Sequence, residues 1–398
     1  MTALDLSLQP ARVLPQDAGH VLGWALPLYL LLLSSGFAFL RSPMATIRGG
    51  ELSVDRAAFG AINAVTGTGF TQTVGQDELT DFGRAGVTFM IAAGCVLMLT
   101  VGGALVSRIA GMGYCERTIL LASIVLMGAS GVIGSATLSD TPLHGAMQGI
   151  GAVANCGIVL RGTLAPPSAV STMLVLLPLA VLGGIGVPVL LDIGRWAVGR
   201  GAMSVHSVAV LTMSAATYLL GTLLLIGLAR QNAAVASAFA LNSRSAGFNL
   251  TPLDPLRHAG QWMVLLLMAI GAAPGGAGGG WKVTTPLVIW KGMRANWRGL
   301  AGGRLFVIAL AWTVLFASII ITGTWLIMRM EPQLPGDRVL FLAVSAASNS
   351  GLSNDPIALV GDSLFALSGI ALAGRIVPIG ILWLACQVPA EPDAIAVG

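Results

Sequence analysis

Charge is what this chain lacks most. Only 10% of its 398 residues are Asp, Glu, Lys or Arg, whereas 55% are hydrophobic and the mean hydropathy is +0.85. Soluble domains carry about a quarter charged residues, so the composition excludes one and fits a chain that crosses a membrane many times. Acid and histidine are scarcer still inside the apolar runs. His20, His144, His206 and His258 all fall near predicted helix ends or loops. A proton-coupled transporter relies on an intramembrane carboxylate or histidine relay, and none is visible. For the same reason no serine or cysteine has a base at membrane depth, which argues against a polytopic membrane enzyme. The four cysteines, Cys95, Cys115, Cys156 and Cys386, are scattered without metal-ligand spacing, so neither a disulfide nor a metal is assigned to them.

What is present is one grammar used four times: a long apolar span, a helix too short to cross, a polar stretch with glycine, and a second long apolar run. Repeat one, residues 21–110, has a span over 21–40, a short helix over 53–64 and a run over 85–106. Ser53 is its N-cap, with Asp55 and Arg56 in the first turn. Repeat two, 111–200, has them over 118–136, 141–154 and 170–191. Repeat three, 201–298, has them over 208–228, 232–241 and from 260 onward. Repeat four, 299–388, has them over 305–327, 336–347 and 363–387. The expected fold is an all-α membrane protein with eight transmembrane helices and four re-entrant pore helices around one central pore. Residues 1–20 and 389–398 are expected as tails. The run over 21–40 lacks a basic leader and a small-residue cleavage site, so it is expected to stay as a span. No separate nucleotide-binding or catalytic domain is expected in the chain.

The net charge of +4, with a pI near 9.2, would suggest nucleic acid in a soluble protein. Here the basic residues sort by loop, so no nucleic acid is expected. Arg108, Arg117, Arg195, Arg200, Lys291, Arg294, Arg298 and Arg304 lie between repeats, opposed only by Glu116 and Asp192. By the positive-inside rule those loops, and both termini with them, are cytoplasmic. Acids such as Asp77, Glu78, Asp81, Asp337 and Asp362 collect on the other side, where they would concentrate cations.

A small residue, a glycine and an apolar residue recur as Thr68-Gly69-Phe70, Cys156-Gly157-Ile158, Ala246-Gly247-Phe248 and Ser350-Gly351-Leu352. Each follows a short helix. Irregular backbone at membrane depth survives only where it is buried in protein or lines a watery cavity. A glycine there adopts positive φ and turns carbonyls toward an axis. Rings of such carbonyls replace an ion's hydration shell. The candidate ion-binding residues are therefore Thr66, Gly67, Thr68 and Gly69, then Asn155, Cys156 and Gly157, then Ser245, Ala246 and Gly247, and last Asn349, Ser350 and Gly351. With 52 glycines in the chain, any one triplet alone is also read as an ordinary glycine of a membrane protein.

These stretches resemble the filters of the Trk/Ktr/HKT superfamily, the membrane subunits of potassium transporters built from four span–pore helix–span repeats. Residues 243–249 are similar to that family's third filter, 343–353 to its fourth and 64–70 to its first. Asn155-Cys-Gly157 is a shorter match to the second. In the family, glycine in all four filters goes with potassium, and serine at the first goes with sodium. The resemblance thus implies potassium uptake, with a sodium or non-selective monovalent cation pathway as the alternative. It also implies a homodimer and a ring of cytosolic nucleotide-binding regulatory subunits. The basic loops 195–200 and 291–304 are expected either to dock that regulator or only to set topology.

The stretch 271–285 interrupts the second span of repeat three. So much glycine with Pro274 cannot continue a helix. A phosphate loop is rejected, because Trp281 separates Gly280 from Lys282 and Val283 separates Lys282 from Thr284. The stretch resembles the family's intramembrane gating loop, here Ala273, Pro274, Gly275, Gly276, Ala277, Gly278, Gly279 and Gly280 with Lys282. Ala272, Ala273, Gly276 and Ala277 stand where the family commonly has small hydroxyl residues. Lys282 is expected either in the pore or snorkelling to the cytosol. Arg375 lies mid-way along the run 363–387, too deep to snorkel, where a charge costs about 2.5–3.5 kcal/mol. By resemblance it is an electrostatic barrier in the pore, and otherwise a structural arginine holding the broken helix. Arg244 is expected as a buried brace for the pore helix, since a cation beside the ion path would repel potassium. No cofactor is expected, and potassium is the substrate.

Overall fold

The computed structural model describes residues 18–47, 51–71, 78–160, 164–166, 168–245, 247–250, 253, 256–353, 359–387 and 394–397. Fourteen α-helices are named among them: α1 (Ala18–Arg41), α2 (Val54–Thr66), α3 (Asp81–Ile109), α4 (Glu116–Thr137), α5 (Pro142–Ala154), α6 (Leu177–Ile185), α7 (Val187–Ala197), α8 (Val205–Ala229), α9 (Ala233–Ser245), α10 (His258–Ala269), α11 (Thr285–Trp297), α12 (Arg304–Met330), α13 (Gly336–Ala347) and α14 (Asp362–Cys386). The fold is that of an all-α membrane protein. Six of these helices, α1, α3, α4, α8, α12 and α14, are long and apolar enough to cross a bilayer.

Burial sorts the long helices into two shells. Within their apolar windows, 78% of α3 and 50% of α14 is buried, against 17–33% for α1, α4, α8 and α12. The outer helices turn residues such as Leu219, Leu223, Val314 and Ile321 outward, as a lipid-facing surface does. The inner ones close on α2, α5 and α13, while α9 packs against α6, α8 and α10; the C-terminal halves of these short helices are buried.

One expectation about the spans is corrected. The run over 170–191 is not straight. It forms one π-helical turn, Thr172–Leu176, then α6, and breaks at Gly186 into α7 with a bend of 100°. Gly186 sits at φ 91°, a conformation open to glycine. Pro188 lies in the first turn of α7, where its missing N–H leaves nothing unpaired. On either side of the interruption expected over 271–285, α10 and α11 have 12 and 13 residues, so each reaches only about half-way across a bilayer. The short helix expected over 232–241 also runs on to Ser245, which makes Ser243 and Arg244 helical. Ala246 lies outside the described residues, as do 1–17, 389–393 and 398 of the expected tails. Residues 394–397 pack against the protein: the Ala396 amide donates to His206 Nδ1 (3.3 Å), and its carbonyl accepts from Thr284 Oγ1 (2.7 Å).

Lipid supplies no hydrophobic force between helices, so they associate where small residues let backbones approach. The α4–α5 pair shows this. A Cβ on Gly134 would collide with the carbonyl of Gly145, one on Gly145 with that of Gly134, and one on Gly149 with that of Ser130. Gly149→Leu should therefore destabilise the protein by about 1–3 kcal/mol, the usual range for overpacking. Gly128→Leu, on the same α4 but with nothing within 4 Å of the new Cβ, should leave the thermal midpoint of the detergent-solubilised protein within error.

Candidate functional site

The four short helices end in left-handed turns. Gly67 caps α2 at φ 66°, Asn155 caps α5 at φ 55°, Asn349 follows α13 at φ 49°, and Gly247 lies beyond α9 at φ 61°. Besides glycine, asparagine visits this region most readily. The same backbone bond closes each turn: Thr68 N to Asn63 O (3.0 Å), Cys156 N to Gly151 O (2.9 Å), Gly247 N to Asn242 O (3.0 Å) and Ser350 N to Ser345 O (2.9 Å).

The peptides beyond these turns meet backbone to backbone. A Cβ on Gly69 would strike the amide of Gly157, one on Gly157 the carbonyl of Gly247, one on Gly247 the carbonyl of Ser350, and one on Gly351 the carbonyl of Thr68. The contacts run from the first segment through the fourth and back to the first, so the four segments form a closed ring. Side chains stitch it: Asn349 Nδ2 donates to Thr68 Oγ1 (2.9 Å), Ser350 Oγ to Ser243 O (3.1 Å) and Asn249 Nδ2 to Thr71 Oγ1 (3.2 Å).

Asparagines brace the ring in two alternating ways. In the first segment Asn63 Oδ1 accepts from the amides of Gly69 (2.8 Å) and Phe70 (2.9 Å), while its Nδ2 donates to Phe70 O (2.7 Å). In the third, Asn242 makes the equivalent pair with Phe248. The second and fourth segments use the turn residue itself. Asn155 Nδ2 donates to Ala180 O on α6 (3.0 Å), and Asn349 Nδ2 to Ala371 O on α14 (2.9 Å). Gly67 has no side chain to do this, and Arg375 of α14 comes up instead, its Nε donating to Thr66 O at 2.7 Å.

Beneath the ring, residues 271–280 are all buried. Their irregular backbone finds internal partners, as the bilayer requires. Ala273 N and Ala277 N donate to Gly184 O (3.0 Å) and Gly183 O (2.9 Å) at the end of α6, and Ala272 N to Gly279 O (3.1 Å). Lys282 is buried and turned inward, its Nζ donating to Gly278 O at 2.7 Å. Between this loop and α14 remains a cavity of about 30 Å³ bordered by Gly275, Gly276, Gly279, Lys282 and Arg375. It has room for only a water or two.

Comparison with known proteins finds likenesses in sequence and in fold. A family model described as TrkH, cation transport protein, matches residues 201–360. The Ktr system potassium uptake protein B of Vibrio alginolyticus is 26% identical over 243 residues, 54% of this chain and 52% of that protein, so the match spans about half the relative's length. The crystal structure of the potassium transporter TrkH from Vibrio parahaemolyticus shares the fold, with a TM-score of 0.73 over 98% of this chain and 87% of that one at 17% identity. The chain is thus similar to Trk/Ktr potassium transporters in part of its sequence and in its fold. Among the described residues no cluster of His, Cys, Asp or Glu is disposed to hold a metal.

The Arg244 guanidinium lies away from the ring. It donates to the carbonyls of Ser214 on α8 (3.1 Å), Ile270 (3.4 Å) and Gly271 (3.3 Å), so it ties α9 to α8 and to the start of the buried loop. Ser245 is the last residue of α9. On the acidic side Asp55 Oδ2 accepts from the Gly361 amide at 2.7 Å. Hydrogen bonds from Ser53 and Gly361 hold the Asp55 carboxyl below the ordinary carboxylate value. Asn63 and Asn242 escaped the sequence reading, though a signal exists: each is an asparagine in a short helix, six and five residues before its ring glycine.

Asn63→Ala would orphan the amides of Gly69 and Phe70, at about 1–3 kcal/mol for each buried group left unpaired. The thermal midpoint should fall well below that of Asn249→Ala, an exposed residue whose loss should cost no more than about 0.5 kcal/mol. Equal midpoints would show that Asn63 does not brace the ring.

Proposed function

We propose that the ring is a potassium-selective filter and that the chain carries potassium inward across the cytoplasmic membrane. The observation that carries this reading is the closed backbone ring of Gly69, Gly157, Gly247 and Gly351. Backbone carbonyls around an axis replace a cation's hydration shell without presenting a charge. The names of the two relatives, a potassium uptake protein and a potassium transporter, support the same ion. The ion-contacting residues are those of the four segments: Thr66 to Gly69, Asn155 to Gly157, Ser245 to Gly247 and Asn349 to Gly351.

The architecture we infer is four span–pore helix–span repeats, over 21–110, 111–200, 201–298 and 299–388, with eight crossings. In this reading α6 with α7 and α10 with α11 each make one broken crossing. Two broken inner helices account for only six helices among the described residues being long enough alone. Both termini lie in the cytoplasm, on the side of the basic loops.

Residues 272–282 act as the gate in this proposal. They lie below the ring and, with α14, border a cavity of about 30 Å³. Arg375 and Lys282 place two buried cations beside that space and raise the barrier to a permeating ion. Arg244 anchors the gate's first residues. The relative named as protein B of a Ktr system is one part of that system, which supports a separate regulatory subunit for this chain. By family resemblance that subunit is a cytosolic nucleotide-binding ring beneath a homodimer, with the loop 195–200 as a docking point.

The chain should restore growth of a potassium-uptake-deficient cell in low potassium when supplied with a family regulator, and Gly69→Ser should abolish rescue at limiting potassium. A serine at φ 94° is strained, and its Cβ meets the Gly157 amide. Rescue by the serine variant equal to wild type would contradict the filter reading, and sodium-dependent growth without potassium rescue would favour the sodium alternative. Shortening residues 275–279, or Arg375→Ala, should raise basal rubidium flux into vesicles about tenfold or more, as expected for lowering a barrier by 1.4 kcal/mol or more. Unchanged flux in a correctly folded variant would remove the gate assignment.

A further inference from the structure

The buried loop runs directly into α11, and α11 has an unusual exposed face. At 3.6 residues per turn, Met293, Trp297 and Trp290 line one half of a sector of about 160°, and Arg294, Arg298 and Lys291 line the other half. All six are exposed, Trp297 to 79%. The opposite side carries the buried Thr285, Val288 and Gly292. Arg294 lies over the Trp290 ring at 5.2 Å. No acidic residue occurs anywhere between Asp254 and Glu331, so nothing in this stretch of sequence neutralises the three cations.

Depth fixes what such a face meets. Residues 271–280 are all buried, as irregular backbone deep in a membrane must be, and thirteen residues of helix span about 20 Å, which is the distance from bilayer centre to headgroups. The last two turns of α11 therefore sit at the membrane surface marked by the basic loops. Indole rings settle at that level, and cations beside them face anionic phosphate. A regulator docking face would need neither the paired tryptophans nor their placement at headgroup depth.

We propose that Lys291, Arg294 and Arg298, with Trp290 and Trp297, form a binding site for anionic phospholipid headgroups on α11. Through Thr284 and Thr285 the site is continuous with the loop that ends at Lys282, and the lipid thereby holds the loop's outgoing end at a fixed depth. Any effect on flux rests on the transport reading above, whereas lipid binding does not.

The test is native mass spectrometry of the full chain released from nanodiscs of equal phosphatidylglycerol and phosphatidylcholine. Wild type should retain phosphatidylglycerol in preference, and Lys291→Gln with Arg294→Gln and Arg298→Gln should lower that preference at least about fivefold, the factor that one cation near an anionic surface supplies. The charge-conserving exchange Lys291→Arg, Arg294→Lys, Arg298→Lys should retain it, which separates charge from folding. If the triple glutamine protein does not fold, Arg298→Gln alone, beyond the helix end, serves with an expected partial loss. Equal retention of both lipids by wild type, or an unaltered preference in the folded glutamine variant, would overturn the proposal. So would loss of a bound regulatory protein from that variant with its lipid preference intact, which would assign the face to a protein partner.

Discussion

Four stretches of backbone pressed against one another in a ring, inside a membrane, is the constraint from which the rest of this structure follows. At Gly69, Gly157, Gly247 and Gly351 the space a side chain would take is already filled by the next segment's peptide. Residue type there is set by packing before any question of function arises. A bilayer offers no water to satisfy the peptide groups that such close irregular strands leave over. The protein must supply those partners itself, and it does so with asparagines buried to 1–3% exposure or less at positions 63, 155, 242 and 349. The short helices have the same logic, since each delivers one segment to the centre without crossing.

Around the ring the partners alternate, Asn63 and Asn242 reaching forward along their own segments, Asn155 and Asn349 reaching sideways to an inner helix. At Gly67 the first segment has no turn asparagine, and Arg375 donates to Thr66 O beside it. One arginine thus links the ring to α14 and lines the small space below. The loop beneath is tied to Gly183 and Gly184, just before the break at Gly186. Any displacement of residues 273–277 must release those two carbonyls, so the bent pair α6–α7 and the loop form one mechanical unit. Glycine at 275, 276 and 279 is again a matter of room, because a Cβ there would press on Gly102, on Gly184 and on Ser348.

Much of this was legible in the sequence. The long helices show as apolar runs, and the ring glycines show because the same triplet recurs after each short helix. The loop shows because Pro274 among six glycines cannot be helix. Other features were hidden for physical reasons. Hydropathy is blind to direction, so the break at Gly186 was absorbed into one apolar run. In a chain of 52 glycines a hinge glycine looks like a packing glycine. Asn242-Ser-Arg-Ser245 reads as loop because its residues are polar, yet it is helical, since Ser243 Oγ donates to Phe239 O and Arg244 finds three carbonyls. The asparagine braces depend on where the chain turns back, which spacing alone does not display. The docking of residues 394–397 against His206 and Thr284 leaves no mark in composition at all.

The central claim is that the backbone ring holds a dehydrated monovalent cation, and anomalous scattering from crystals grown in rubidium tests it most directly. The account predicts an anomalous peak on the ring axis, level with Gly69, Gly157, Gly247 and Gly351, that disappears when sodium replaces rubidium. A ring empty of rubidium in a protein that still carries the ion into vesicles would contradict it.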